Sequence, residues 1–382
     1  MLRLGVAMLA IVLLAAAPMP AAEHSLPDPL KLKNGSRVDT TDKWWQLRRQ
    51  EVADDLEAEI YGHASDNAPV LVWTVAGSTR EMLGHVPAVT RRLLGHAAGL
   101  HGLVLDVRLT LTLPAKTKGP VPVILELDLP GQAGGAPSPW KTQVLAKGWG
   151  AAVLDVSSVQ PDSAEGLAGG VIGLAAAGKP RGPYDWGVLR AWAWGASRAM
   201  DYFESDNLVA SDRIGIAGHA RFGKAALVAM AYDPRFVVAF ISSSGAGGAA
   251  LLRHGRVDTL VAKGQSQLFA DEFRSYAGPK TAADLPVDAH ELLALCAPRP
   301  VFVSDGANDD ASGEFQAEVA AGPVYRLLGA KDLGTAKLPQ VGMALTGGAL
   351  AFRQHAGADT ADSNWPVFIA FAQRILNAPR KH

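Results

Sequence analysis

Aliphatic side chains stand at every second position from Leu103 to Leu113, taking in Leu105, Val107, Leu109 and Leu111, with mostly polar residues between them. A period of two puts all six on one face, so residues 103–114 are predicted to form a half-buried strand typical of an antiparallel sheet edge. Strands are also predicted over 121–131, 149–157, 236–248, 298–309 and 349–355. The runs 236–248 and 298–309 are uniformly apolar and end in loops, as strands buried on both faces do. Helical periodicity occupies 43–64, with charges along one face, and 185–205, where Asp185 near the start favours the helix dipole. A closing helix follows over 364–376. Strands that alternate with helices define a three-layer αβα sandwich around a mostly parallel sheet, with antiparallel strands at its N-terminal edge.

Within that plan, "RIGIAGHARFGKAALVAMAYDPRF" (213–236) reads as buried strand, sharp turn and helix, with Gly218 and Gly223 flanking the turn. That is a nucleophile elbow, in which a strained strand-to-helix turn lifts one side chain above the sheet, and it selects the α/β-hydrolase version of the fold. The raised position is normally serine. Here it is Ala220, a methyl group that cannot attack anything.

Composition narrows the setting. The first 22 residues have a basic start, an apolar run and a small-residue end, the plan of a cleaved signal peptide. A single domain is then expected over 23–382, secreted or periplasmic, with no membrane in the mature form. The 36 basic and 37 acidic residues nearly cancel, which argues against nucleic acid as a partner. The single cysteine, Cys296, excludes a disulfide framework and lies in an apolar segment, as an inert buried thiol does. The histidines show no metal-ligand spacing, so neither metal nor other cofactor is expected.

Several stretches carry a resemblance to a known family. "GHARFGK" is similar to the elbow G-[CH]-S-R-x-G-K of the bacterial glucuronoyl esterases (carbohydrate esterase family 15) in all but the serine. "VIGLAAAGKPRGPYDWGVLRAWAWGASRAMDYFE", "SSSGAGGAAL", "YAGPKTAADLPVDAHELLALCAPRPVFV" and "GPVYRLLGAKDLG" match as well, and the similarity runs from about Lys43 to the C-terminus. The resemblance implies an ancestral serine esterase that cleaves the ester between lignin alcohols and the 4-O-methyl-glucuronic acid branches of xylan. It implies an oxyanion-side role for Arg221, a sugar contact for Lys224 and a glucuronate-bearing glycan as partner.

A serine esterase needs a hydroxyl, an imidazole to take its proton and a carboxylate to orient the imidazole. The family pattern Q-H-x-G-G-H-T-x-x-x-N-W-P aligns without a gap on "QHAGADTADSNWP", which puts Asp359 at the base position and His355 at the first, non-catalytic histidine. A carboxylate ionised at neutral pH is a poor base for a hydroxyl. The loop "SDGANDDASGEF" keeps Asp309 as a candidate acid but lacks the family's tryptophan, and Leu268 and Glu272 replace aromatics of a second stretch. The expectation is a catalytically inactive relative that retains glycan binding. The alternative is an active ester hydrolase with a non-standard nucleophile among Ser242, Ser243 and Ser244 and with His219 or His355 as base.

Overall fold

A computed structural model of the chain describes residues 25–99, 102–129, 139–254, 257–306, 311–357 and 360–377. Its centre is one ten-stranded sheet in the order β1-β2-β3-β5-β4-β6-β7-β8-β10-β9. The strands are β1 (Val72–Leu83), β2 (Val86–Ala98), β3 (Val104–Pro114), β4 (Val121–Asp128), β5 (Gly150–Asp155), β6 (Val209–His219), β7 (Phe236–Ser242), β8 (Val301–Gly306), β9 (Ala344–Leu345) and β10 (Leu350–His355). From β5 to β10 neighbours run parallel, while β1, β2 and β3 join antiparallel at one end and β9 at the other.

Residues 103–114 are therefore antiparallel as expected, but they are not the edge. The β1–β2 hairpin lies outside them and was not anticipated. Its turn is the two-residue loop Gly84–His85 between paired Leu83 and Val86, with Gly84 at φ +60, a conformation glycine adopts without cost.

Among the described residues, the helices of eight residues or more are α1 (residues 41–61), α2 (Pro139–Ala146), α3 (Val188–Ser205), α4 (Arg221–Tyr232), α5 (Ala289–Cys296), α6 (Ser312–Leu327) and α7 (Trp365–Leu376). Strand side chains alternate between two cores. On one face Ile124, Ala217, Phe240 and Phe302 pack against Trp140 of α2 and Trp365 and Phe368 of α7. On the other, Leu125, Ile216, Ile241 and Val303 pack against α3, α4, α5 and α6. Asp185 does not cap α3. Its carboxylate accepts from Gly182 N–H at 2.7 Å and holds the preceding turn, while the extended Gly187 precedes the helix. Cys296 is fully buried, with its thiol pushed up to about 12 by burial, as befits an inert side chain.

Parallel strands share one direction, so β4, β6, β7, β8 and β10 end on the same edge of the sheet. In open α/β sheets this carboxyl edge is where ligands bind. Asp128, His219, Ser242, Gly306 and His355 are the last residues of these strands.

Candidate active site

The elbow forms although its serine is absent. Ala220 sits between β6 and α4 at φ +51 and ψ −122, a region that L-residues avoid and that costs about 1–3 kcal/mol. Neighbours enforce it: Ala220 N–H donates to Ser242 O at 2.9 Å, and Lys224 N–H donates to Ala220 O at 3.2 Å. Glycine is required on both sides. A Cβ at Gly218 would lie 2.3 Å from the Phe222 carbonyl oxygen, and one at Gly223 would lie 3.0 Å from those of Gly218 and Ser242. Because the surrounding structure imposes the strain, Ala220→Gly is expected to raise unfolding free energy by about 1 kcal/mol in chemical denaturation. No gain would mean the turn is relaxed.

Arg221 opens α4. Its guanidinium is about half exposed and donates through Nη1 to Asp162 Oδ2. The other carboxylate oxygen, Oδ1, accepts from Gln267 Nε2 at 2.9 Å. Three separate segments thus meet beside the elbow: the loop after β5, the start of α4 and the insertion between β7 and α5. The 160–170 loop is itself pinned. Buried Gln160 donates to Gly166 O at 2.7 Å and accepts from Ile172 N–H at 3.0 Å, and its own carbonyl accepts from Trp192 Nε1 at 2.9 Å. Neither Asp162 nor Gln267 was singled out from the sequence. A polar residue in a loop after a strand has no spacing signature, and the ion pair joins positions 59 residues apart.

Lys224, one turn into α4, is buried, and its Nζ donates to the carbonyls of Ser244 and of Ala246, the latter at 2.7 Å. Burial draws its pKa down to about 8, against the pull of Glu314. Glu314 of α6 is fully buried, with Oε1 accepting from Ser244 Oγ at 3.0 Å and Gly245 N–H at 2.7 Å. Burial first, and Asp305 next, raise its pKa to about 8.

The native Glu314 therefore keeps a proton that the unfolded chain releases above the ordinary glutamate pKa. Its contribution is intact at about pH 4.5 and is lost as pH climbs to about 8, at up to about 1.4 kcal/mol per pH unit. Native Lys224, drawn down to about 8, begins to titrate only at the top of that window and the unfolded lysine titrates above it, so it does not cancel the trend below about pH 7. Glu314→Gln should consequently melt progressively higher than the parent between pH 5 and pH 8. A constant difference in melting temperature across that range would contradict the assignment.

The serines offered as alternative nucleophiles fall into different settings. Ser242 Oγ lies 3.2 Å from His219 Nδ1, so a hydroxyl and an imidazole meet across β7 and β6. Ser242 is nevertheless fully buried beneath the elbow. Ser244 is buried and engaged by Glu314, and its Oγ accepts from Ala249 N–H at 2.9 Å. Ser243 is half-buried at φ +45, with its N–H on Ser304 O. His355 is buried, and its Nδ1 accepts from Asn364 Nδ2 at 2.8 Å.

Asp359 and Asp309 lie outside the described residues, as does the glycine-rich stretch at 131–135. The last described residues of the preceding strands, His355 and Gly306, are paired in register. Leu268 is fully buried, so it does not line an open cleft, and Glu272 is tied to Lys280 at 3.0 Å.

A ten-stranded mostly parallel sheet with helices on both faces and a strained elbow after β6 defines an α/β-hydrolase fold. The model "Glucuronyl esterase, fungi" matches residues 100–329. A carbohydrate esterase from an unknown prokaryotic organism is 31% identical over 93% of this chain and 90% of its own. A 4-O-methyl-glucuronoyl methylesterase of Hypocrea jecorina is 28% identical over 80% of the chain, which spans 63% of that protein's length. Among solved structures, the CE15 glucuronoyl esterase from Teredinibacter turnerae is similar at 41% identity and a TM-score of 0.87, covering 92% of this chain and 89% of that one. A glucuronoyl esterase from Solibacter usitatus follows at 32% and 0.83, covering 93% and 98%. The chain belongs to the glucuronoyl esterase family.

Proposed function

We propose that this chain is an exported glucuronoyl-esterase relative that no longer hydrolyses esters and retains a site for a uronate-bearing glycan. One observation carries the proposal: the apex of an intact, strained elbow holds Ala220, so no nucleophile stands where the acyl-enzyme would form. Asp359 at the base position supports it, because a second member of the triad is replaced as well. Loss of triad members costs about 10⁴- to 10⁶-fold in kcat. What remains for binding is Arg221 beside the apex, with Lys224 holding the loop after β7 from behind, and the glycan class is suggested by the methyl-glucuronoyl ester named for the Hypocrea relative. Export rests on the leader-like residues 1–22. Among the described residues no helix is long and apolar enough to cross a membrane.

The active alternative draws on the Ser242–His219 contact, whose geometry suits a nucleophile and base. Its weakness is access, since an ester carbonyl cannot reach a fully buried hydroxyl without the elbow moving. Calorimetric titration of the mature protein with methyl 4-O-methyl-glucuronate and with glucuronoxylan fragments distinguishes the two. Saturable heat with no methanol released is expected. Absence of binding overturns the glycan site, and released methanol overturns the loss of catalysis.

A further inference from the structure

The bridge between Arg221, Asp162 and Gln267 has a chemical consequence for whatever enters this site. The Arg221 guanidinium, on the residue that follows Ala220, donates to the Asp162 carboxylate. A guanidinium offered to solvent alone would attract a carboxylate and hold it in a two-pronged contact. One already facing an aspartate presents a nearly neutral pair, and the aspartate's remaining field opposes a second anion. Asp162 is not a loose surface partner. It is mostly buried at its side chain, its second oxygen is taken by buried Gln267, and its loop is locked by Gln160. The other cation of the elbow, Lys224, is turned away into the carbonyls of Ser244 and Ala246 next to Glu314.

We infer that Asp162 is a positioning residue that makes this site select capped, uncharged uronates, such as esters or amides, over the free uronate. The inference rests on the glycan-binding proposal and adds to it the form of the sugar that is held. An ester carbonyl needs one hydrogen-bond donor and carries no charge to be compensated, so an Arg221 held by Asp162 suffices. A free carboxylate must give up its hydration beside Asp162 without gaining an uncommitted cation in return. For a protein that does not turn its ligand over, this is the difference between holding intact cross-linked glycan and being occupied by the acid that active esterases release.

The test is calorimetric titration of the mature protein and two variants, Asp162→Asn and Asp162→Glu, with methyl 4-O-methyl-glucuronate and with the free acid at low salt. The parent should bind the ester at least about tenfold more tightly than the acid. Asp162→Asn should raise affinity for the acid about tenfold and leave the ester within about twofold, closing the gap. Asp162→Glu, which keeps the charge, should preserve the parent's preference. A purely structural role would weaken both ligands together and leave their ratio unchanged, and that result overturns the inference. Equal or tighter binding of the acid by the parent also overturns it while leaving the glycan site standing. If neither ligand binds the parent, the glycan-binding proposal and this inference fall together.

Discussion

Hydrolysis of benzyl glucuronate is expected to appear in the Ala220→Ser, Asp359→His double variant, with kcat/KM about 10⁴-fold or more above the parent, and to stay near background in Ala220→Ser alone. The reason lies in what the elbow still provides. Position 220 holds its raised backbone, enforced by the Ser242 carbonyl and by glycines that admit no side chain, so a serine placed there would project as the fold intends. A hydroxyl without a base remains protonated at neutral pH and attacks slowly, which is why the single variant should fail. Adding the imidazole supplies the proton acceptor. If the double variant also stays silent while binding the ester, the defect extends to the loops that orient the substrate.

The second large effect concerns the layer beneath the site. Phe240 on β7 is buried, stacks on Phe368 at 4.9 Å between ring centroids, and meets the Trp365 ring edge-on at 4.9 Å and Phe302 at 5.5 Å. These rings lock α7 to the sheet, and Trp365 in turn stacks on Trp140 of α2 at 4.7 Å. Phe240→Ala removes the hub and leaves a cavity between elements that cannot all close on it. Unfolding free energy should fall by about 3–5 kcal/mol in urea denaturation. A loss under about 1 kcal/mol would mean this face of the core repacks freely.

Hydrophobic patterning reveals the parallel strands because they are buried on both faces. Phe236–Ser242 is apolar up to its last residue, and Val301–Gly306 opens on three apolar residues and is buried throughout. It hides β1 for the opposite reason. That edge strand exposes Val72, Val75 and Met82 and buries little besides Leu83, so no alternation betrays it. The Gly84–His85 turn between flanking apolar residues was the available signal. In the same way α5 begins with a capping box, Asp288 with Glu291, that reads directly as a helix start.

The site divides along a similar line. Gly218, Ala220 and Gly223 are legible because a strained turn dictates residue types locally. Lys224 was read as a sugar contact from its place in the motif, whereas its burial against the Ser244 and Ala246 carbonyls follows from the way β7 continues past the elbow helix. Asp162, Gln267 and Glu314 reach the elbow from other loops and helices, and such convergence leaves no trace in spacing along the chain.

The most direct measurement is release of benzyl alcohol from benzyl glucuronate by the mature, unsubstituted protein at enzyme concentrations high enough to see a single turnover. Release no faster than in buffer is expected, together with saturable binding of the same ester. Turnover that disappears in Ser242→Ala would contradict the loss of catalysis and make the hydroxyl beneath the elbow the nucleophile.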